Sequence, residues 1–320
     1  MPLLTTPQLL NFDEHLRIIN PEKSLFGEPL AIRLGSGAII VENIDDLYSG
    51  ATTRGQDTAR VYMPGSIANP RVRGSAEYTI SMIVSGEDDV TGFNQQILNP
   101  GATRAEQAIL NIDELKQLTI RPSSNQPPLL LRWYNRPGVE EEYIEAEVQV
   151  GYDMQVRRIN QDHYRVVMTF INAKGVWLGP PRFGQLEVTG NAPTTGGLSQ
   201  VPIPLDGPIG GNTGSSELTV AGNGGTHTRL DFGFPDTLRV EPRPGQPAIR
   251  DFFLANNSRV FVETASFPST FNPDNDIKTG LVAYTSQRWL ELSPNTNAIG
   301  IRREGSGTCM LTATARGCYV

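Results

Sequence analysis

The sequence predicts an all-β protein with one flanking α-helix, divided into two domains. Three observations predict it. Several segments alternate apolar and polar residues with period two, the pattern of strands buried on one face. Gly (32) and Pro (24) are scattered without a period through 320 residues, the punctuation of many short strands. A single segment carries a helical stripe behind a helix start signal.

Taken in order, residues 31–34 and 37–42 predict an early hairpin. Residues 76–84 place Tyr78, Ile80, Met82 and Val84 on one face. Residues 129–134 form a more continuously apolar strand. Residues 142–150 place Ile144, Ala146, Val148 and Val150 on one face and Glu145, Glu147 and Gln149 on the other. Residues 163–171 gather Tyr164, Val166, Met168 and Phe170.

The helix is predicted at 103–118. Thr103 and Glu106 stand at capping-box spacing, where hydroxyl and carboxylate satisfy free N–H groups of the first turn. Ala105, Ala108, Ile109, Ile112 and Leu115 then follow the i, i+3, i+4, i+7 spacing of one apolar stripe. Ile109, Ile112 and Leu115 are expected to pack on the first sandwich, and residues 93–98 to add a short helical turn.

Gly179-Pro180-Pro181 stiffens a crossing between domains, which sets the expected domains at 1–179 and 180–320. Residues 190–214 hold seven Gly and four Pro and read as long loops. Strands are then expected at 185–189, 217–221, 226–232, 237–241, 248–254, 259–265, 279–285, 288–292, 298–303 and 308–315, a β-sandwich at this spacing. Residues 288–292 and 298–303 form a predicted hairpin. In its turn Pro294 presets φ, and the Asn residues tolerate left-handed geometry.

Net charge is −7, and no run of Lys or Arg exists to hold nucleic acid non-specifically. Glu87-Asp88-Asp89 and Glu140-Glu141-Glu142 read as solvated loop or strand-end charge. Residues 1–20 lack a basic segment followed by an apolar one, so no signal peptide is expected. No apolar run approaches the length of a membrane span. Cys309 and Cys318 are expected as reduced thiols.

Searching for chemistry yields no catalytic, cofactor-binding or metal-binding residue. The Gly-rich pieces 35–37 and 222–225 lead into no helix that could cradle phosphate. His15, His163 and His227 stand at no ligand spacing. Asp274-Asn275-Asp276 begins like a calcium loop but continues with Ile277-Lys278. Glu145 and Glu147 could imitate a glycosidase pair, yet read as a solvated face. Trp133, Trp177 and Trp289 could stack on sugars, with core packing the expectation for Trp133 and Trp289. Asn256-Asn257-Ser258 is a sequon without a secretory context.

Three stretches carry a resemblance. The first is Thr53-Arg54-Gly55-Gln56-Asp57-Thr58 followed by Pro70-Arg71-Val72-Arg73-Gly74 and a strand. The second is 172–181 with Trp177. The third is Val220-Ala221-Gly222-Asn223-Gly224-Gly225-Thr226 with the hairpin at Trp289. Together they resemble the distal tail proteins of long-tailed, non-contractile bacteriophages. The chain departs from the family pattern in Pro294-Asn295, where Pro-Gly is usual, and in its longer entry to the second domain.

The resemblance implies a tail-tube-like β-sandwich followed by a galectin-like or carbohydrate-module-like one. It implies a structural virion protein without enzymatic activity, assembled in the host cytoplasm. Six copies would form a ring at the end of the tail tube. Its partners would be the tail tube protein, the tail hub and tip proteins and the tape measure protein. A competing reading is a carbohydrate-binding receptor or adhesin module that takes a host-surface glycan, and a third is a glycan-degrading tail enzyme.

Overall fold

A computed structural model describes residues 16–25, 28–34, 38–45, 53–54, 58–59, 66–67, 72–87, 102–119, 128–136, 138–151, 154–188, 201–212, 217–232, 238–242, 244–245, 248–255, 259–264 and 292–319. The chain forms two units, Met1–Trp177 with Val320, and Leu178–Tyr319. The described residues are all-β with one helix. Among the described residues no helix is long and apolar enough to cross a membrane.

The first unit contains β1 (Leu16–Leu25), β2 (Glu28–Leu34), β3 (Ile39–Asp45), β4 (Thr53–Arg54), β5 (Thr58–Ala59), β6 (Ser66–Ile67), β7 (Val72–Arg73) and β8 (Ala76–Ser85). After them come α1 (Arg104–Thr119), β9 (Leu129–Tyr134), β10 (Tyr143–Val150), β11 (Gln155–Arg158) and β12 (His163–Asn172), and β13 (Trp177–Leu178) begins at the last residue of the stretch that ends at Trp177. The strand order is β2-β1-β9-β10-β12-β8-β3, with β11 also paired to β12. The predicted early hairpin is corrected: β2 pairs with β1 and β3 with β8. Strand β1, which was not expected, takes the place of that partner.

Alternation sets the core. Leu34, Leu16, Trp133 and Ile144 lie opposite one another across four strands, as do Ile32, Ile18, Leu131 and Ala146. All eight are buried. On β8 and β12, Tyr78, Ile80, Met82 and Val84 with Val166, Met168 and Phe170 continue the same interior. Each large apolar side chain buried there contributes about 1.5–3 kcal/mol.

The helix begins as its cap dictates. Thr103 N–H donates to Glu106 Oε2 at 2.8 Å, and Glu106 N–H donates to Thr103 Oγ1 at 3.3 Å. Its buried residues are Ala108, Asn111, Ile112, Leu115, Leu118 and Thr119. Ile109 is 49% exposed, a correction to the expected stripe. The buried wedge is rotated so that Asn111 points inward and donates Nδ2–H to the Ser85 carbonyl at 2.8 Å. Asn20 donates to the Leu118 carbonyl at 2.8 Å, satisfying a free acceptor of the last turn. Gly86 lies under the first turn, where a Cβ would stand 1.8 Å from the Arg104 carbonyl oxygen. The expected turn at 93–98 lies outside the described residues.

The second unit contains β14 (Arg182–Val188), β15 (Val201–Pro204), β16 (Glu217–Asn223), β17 (Thr226–Phe232), β18 (Leu238–Val240), β19 (Ile249–Ala255), β20 (Arg259–Thr264), β21 (Ala298–Ser306), β22 (Cys309–Arg316) and β23 (Cys318–Tyr319). The main order is β14-β22-β16-β19-β17-β21-β15. One core gathers Leu218, Val220, Leu230, Phe232, Phe252, Leu254, Ile299, Ile301, Leu311 and Ala313, among others. Cys309 and Cys318 are buried and unbridged.

The reading of 190–214 as loops is corrected at β15, which pairs with β21 and buries Ile203. The predicted turn is present. Asn295 has φ of 66°, and Thr296 donates its N–H and its hydroxyl to the Ser293 carbonyl at 3.2 and 2.7 Å. It leads into β21, whose partners are β15 and β17. The expected partner strand at 288–292 lies outside the described residues except Leu292, as does the one at 279–285.

Candidate assembly interface

Strands β11, β12, β8 and β3 form an antiparallel sheet. Strands β8 and β12 pair without interruption from His163 opposite Ser85 to Asn172 opposite Ala76. These four strands are part of the larger sheet, in which β12 also pairs with β10 and the far end is β2; within it β11 and β3 each have no second strand partner among the described residues. A free edge presents unpaired N–H and C=O groups that another strand can take up.

Strand β11 is exposed on both faces, Gln155, Val156, Arg157 and Arg158 alike. Val156 is 40% and the following Ile159 49% exposed. A strand this open is held by its turn. Ile159 N–H donates to the His163 carbonyl at 2.9 Å, and Arg158 Nε to the Asn160 carbonyl at 2.8 Å. His163 Nδ1 lies 2.9 Å from Asp162 Oδ1, a contact that holds the Asp162 carboxyl below its ordinary range.

Strand β3 is the opposite edge. Its register slips between Val41 and Asn43, a bulge at Glu42, the device that bends and twists edge strands. Glu42 meets Arg165 at two points, Nε to Oε2 and Nη2 to Oε1, each 2.7 Å. The guanidinium holds the Glu42 carboxyl below the usual carboxylate range. Ile40 is 51% exposed, and Asp45 is exposed. One edge thus carries Arg157 and Arg158, the other Asp45 and the Arg165-paired Glu42, and each adds exposed β-branched side chains.

The residues singled out by sequence fall elsewhere. Glu145, expected on a solvated face, is buried and accepts from Arg132 Nε and Nη2 at 3.0 and 2.8 Å. Glu147 pairs with Lys174 at 2.7 Å, so the two acids hold separate cations. Trp133 and Trp177 are buried, with ring centroids 6.0 Å apart, so Trp177 too is a core residue. Glu140 and Glu142 are exposed, while Glu141 is half-buried, in the turn between β9 and β10. Glu87 is exposed 3.9 Å from Arg104.

His227 is fully buried beside Arg303. Burial, and then the Arg303 charge, lower its pKa to about 4. No group of three or more His, Cys, Asp or Glu at metal-binding distance occurs among the described residues. His15, the 274–278 loop, the sequon at 256–258, Asp88, Asp89 and Trp289 lie outside them. Sequence reading missed β11; its signal was the short Val156-Arg157-Arg158-Ile159 run directly before a strong strand.

No family model and no curated protein matches the chain. Among solved structures, the chain is similar to the SPP1 Dit (gp 19.1) protein, described as a paradigm of the hub adsorption apparatus of phages infecting Gram-positive hosts. The identity is 12%, the TM-score 0.50, and the match covers 95% of this chain and 99% of that one. Two structures of the phage P2 baseplate in its activated conformation, with Ca and with Sr, match at 8% identity with TM-scores of 0.43 and 0.45. Each match covers 94% of this chain and 97% of the other. The chain has the fold of the SPP1 Dit protein.

Proposed function

We propose that the protein is a structural component of a bacteriophage tail hub or baseplate. Six copies form a closed ring at the distal end of a long non-contractile tail, joining the tail tube to the hub and tip proteins of the virion. The observation that carries this reading is a pair of edges unpartnered among the described residues and of opposite charge, β11 with Arg157 and Arg158 and β3 with Asp45 and the Arg165-paired Glu42. Joined head to tail, such edges make a heterologous contact, and heterologous contacts generate rings when the rotation closes.

The fold shared with SPP1 Dit over nearly the whole of both chains supports a place in the hub. The domain division at 179/180 is part of the same proposal, with the first domain forming the ring. Negative-stain images of the purified chain, and of virions labelled with antibody against it, test the reading. Six-fold rings, with label confined to the tail tip, are the expected result. Single particles of one chain together with label elsewhere on the virion would overturn it.

A further inference from the structure

The outer face of the β2-β1-β9-β10 half of the sheet carries a second feature. Arg17, Arg132 and Glu145 lie directly opposite one another on β1, β9 and β10. They form the row between the two buried rows of the core, so they belong to the face turned away from it. In the neighbouring outer row Tyr134 stands opposite Tyr143. The guanidinium of Arg17 lies 4.5 Å over the Tyr134 ring, that of Arg132 lies 4.2 Å over Tyr143, and the two rings are 5.7 Å apart.

The two arginines differ in what they hold. Arg132 is satisfied, with Glu145 on Nε and Nη2 and the Tyr134 hydroxyl 3.3 Å from Nη1. Arg17 has no ion pair among the described residues, and its buried Nε has no hydrogen-bond partner. Stacking on Tyr134 fixes the guanidinium plane, so its edge is arranged in advance for the two-point contact that a carboxylate makes.

We infer that Arg17, held on Tyr134, is a docking point for an Asp- or Glu-bearing polypeptide segment of a partner protein. The charge pattern selects that chemistry. Only Arg17 of the Arg17–Arg132 pair lacks a carboxylate partner among the described residues, and the Glu145 carboxylate on Arg132 would repel a second anionic group. A nucleic acid, which presents phosphates in succession and binds through several cations, fits this row poorly. A half-buried arginine stacked on an aromatic ring is also the residue type on which interfaces concentrate their binding energy. The inference does not depend on ring formation.

The test uses the full chain and a short labelled peptide of alternating Glu and Thr, followed by fluorescence anisotropy at low salt. The wild-type protein should bind the peptide and ignore a version with Gln for Glu. Arg17→Gln should weaken binding roughly tenfold or more, the loss of one charge-assisted pair. Arg17→Lys, which keeps the charge but not the planar fork, should fall between. Arg250→Gln, at an exposed arginine on β19, should leave binding unchanged. Unchanged melting temperature and particle mass in Arg17→Gln would separate docking from folding and from assembly. Absence of binding by the wild type would overturn the inference. So would equal binding by Arg17→Gln, or equally tight Arg17-dependent binding of a single-stranded oligonucleotide.

Discussion

Arg303 donates its Nε–H to Nδ1 of His227 at 2.8 Å, inside the second unit. The arginine is 3% and the histidine 0% exposed. Arg303 Nη2 donates to the carbonyls of Ser306 and Gly307 at 2.6 and 2.9 Å. Nε2 of His227 lies 3.1 Å from the Gly224 carbonyl. The pair thereby ties the turn between β21 and β22 to the turn between β16 and β17. Only a neutral imidazole can accept at Nδ1, and burial together with the Arg303 charge holds the ring neutral down to about pH 4.

This relationship makes the second unit acid-labile. The folded pKa of His227 lies below the unfolded value, so the unfolded chain binds more protons between the two. Stability from this group is fully present above about pH 6.5 and falls as pH drops toward 4, by on the order of 3 kcal/mol in all. Thermal melts from pH 7 to pH 4 should show this decline. In His227→Gln, whose amide oxygen can still accept from Arg303, the decline should be shallower. Parallel pH profiles for the two proteins would contradict the assignment.

The exposure of Ile109 beside the burial of Ile112 separates two substitutions only three positions apart. Ile112→Asp places an unpaired charge in the interior of the first unit and should cost several kcal/mol, on the order of 3–5. Ile109→Asp lies on the open side of α1 and should change stability by less than about 0.5 kcal/mol. Chemical denaturation of both variants checks the orientation of the helix. Equal losses would place the helix differently.

The Arg132–Glu145 contact invites a double-mutant cycle. Removing one partner, as in Glu145→Leu, leaves a guanidinium without its carboxylate and should destabilise by about 3 kcal/mol or more. Replacing both with leucine removes the uncompensated charge and should be milder than Glu145→Leu alone. Additive losses in urea melts would mean that the two side chains act independently.

Much of the fold is legible in the sequence wherever a local rule decides. The alternation of 76–84 and 163–171 gives two strands whose apolar faces are the ones buried. Thr103 and Glu106 fix the start of α1 within a residue, and Pro294-Asn295 fixes a turn with positive φ at Asn295. What is not legible depends on neighbours. Periodicity says which face of β2 or β3 is buried but not which strand lies beside it, so the expected early hairpin gives way to pairings with β1 and β8. Ile109 sits at the margin of the apolar wedge, where a small rotation of the helix exchanges it for Asn111.

Glu145 reads as solvated until Arg132 is known to stand opposite it. Strand β15 hides among Gly and Pro because Pro202 and Pro204 are tolerated on a strand that, among the described residues, pairs only with β21. The candidate interface was least legible of all. Two free edges are a property of the sheet order, which no stretch of residues carries by itself.

The central claim is a closed ring joined through β11 and β3, and native mass spectrometry tests it most directly. The wild-type chain should give a species of six times 35.0 kDa, about 210 kDa. The double reversal Arg157→Glu with Arg158→Glu places acid against the Glu42 and Asp45 edge. It should yield single chains of 35.0 kDa with an unchanged melting temperature. A wild-type protein that stays monomeric at high concentration, or a reversed variant that keeps the full ring mass, would contradict the account.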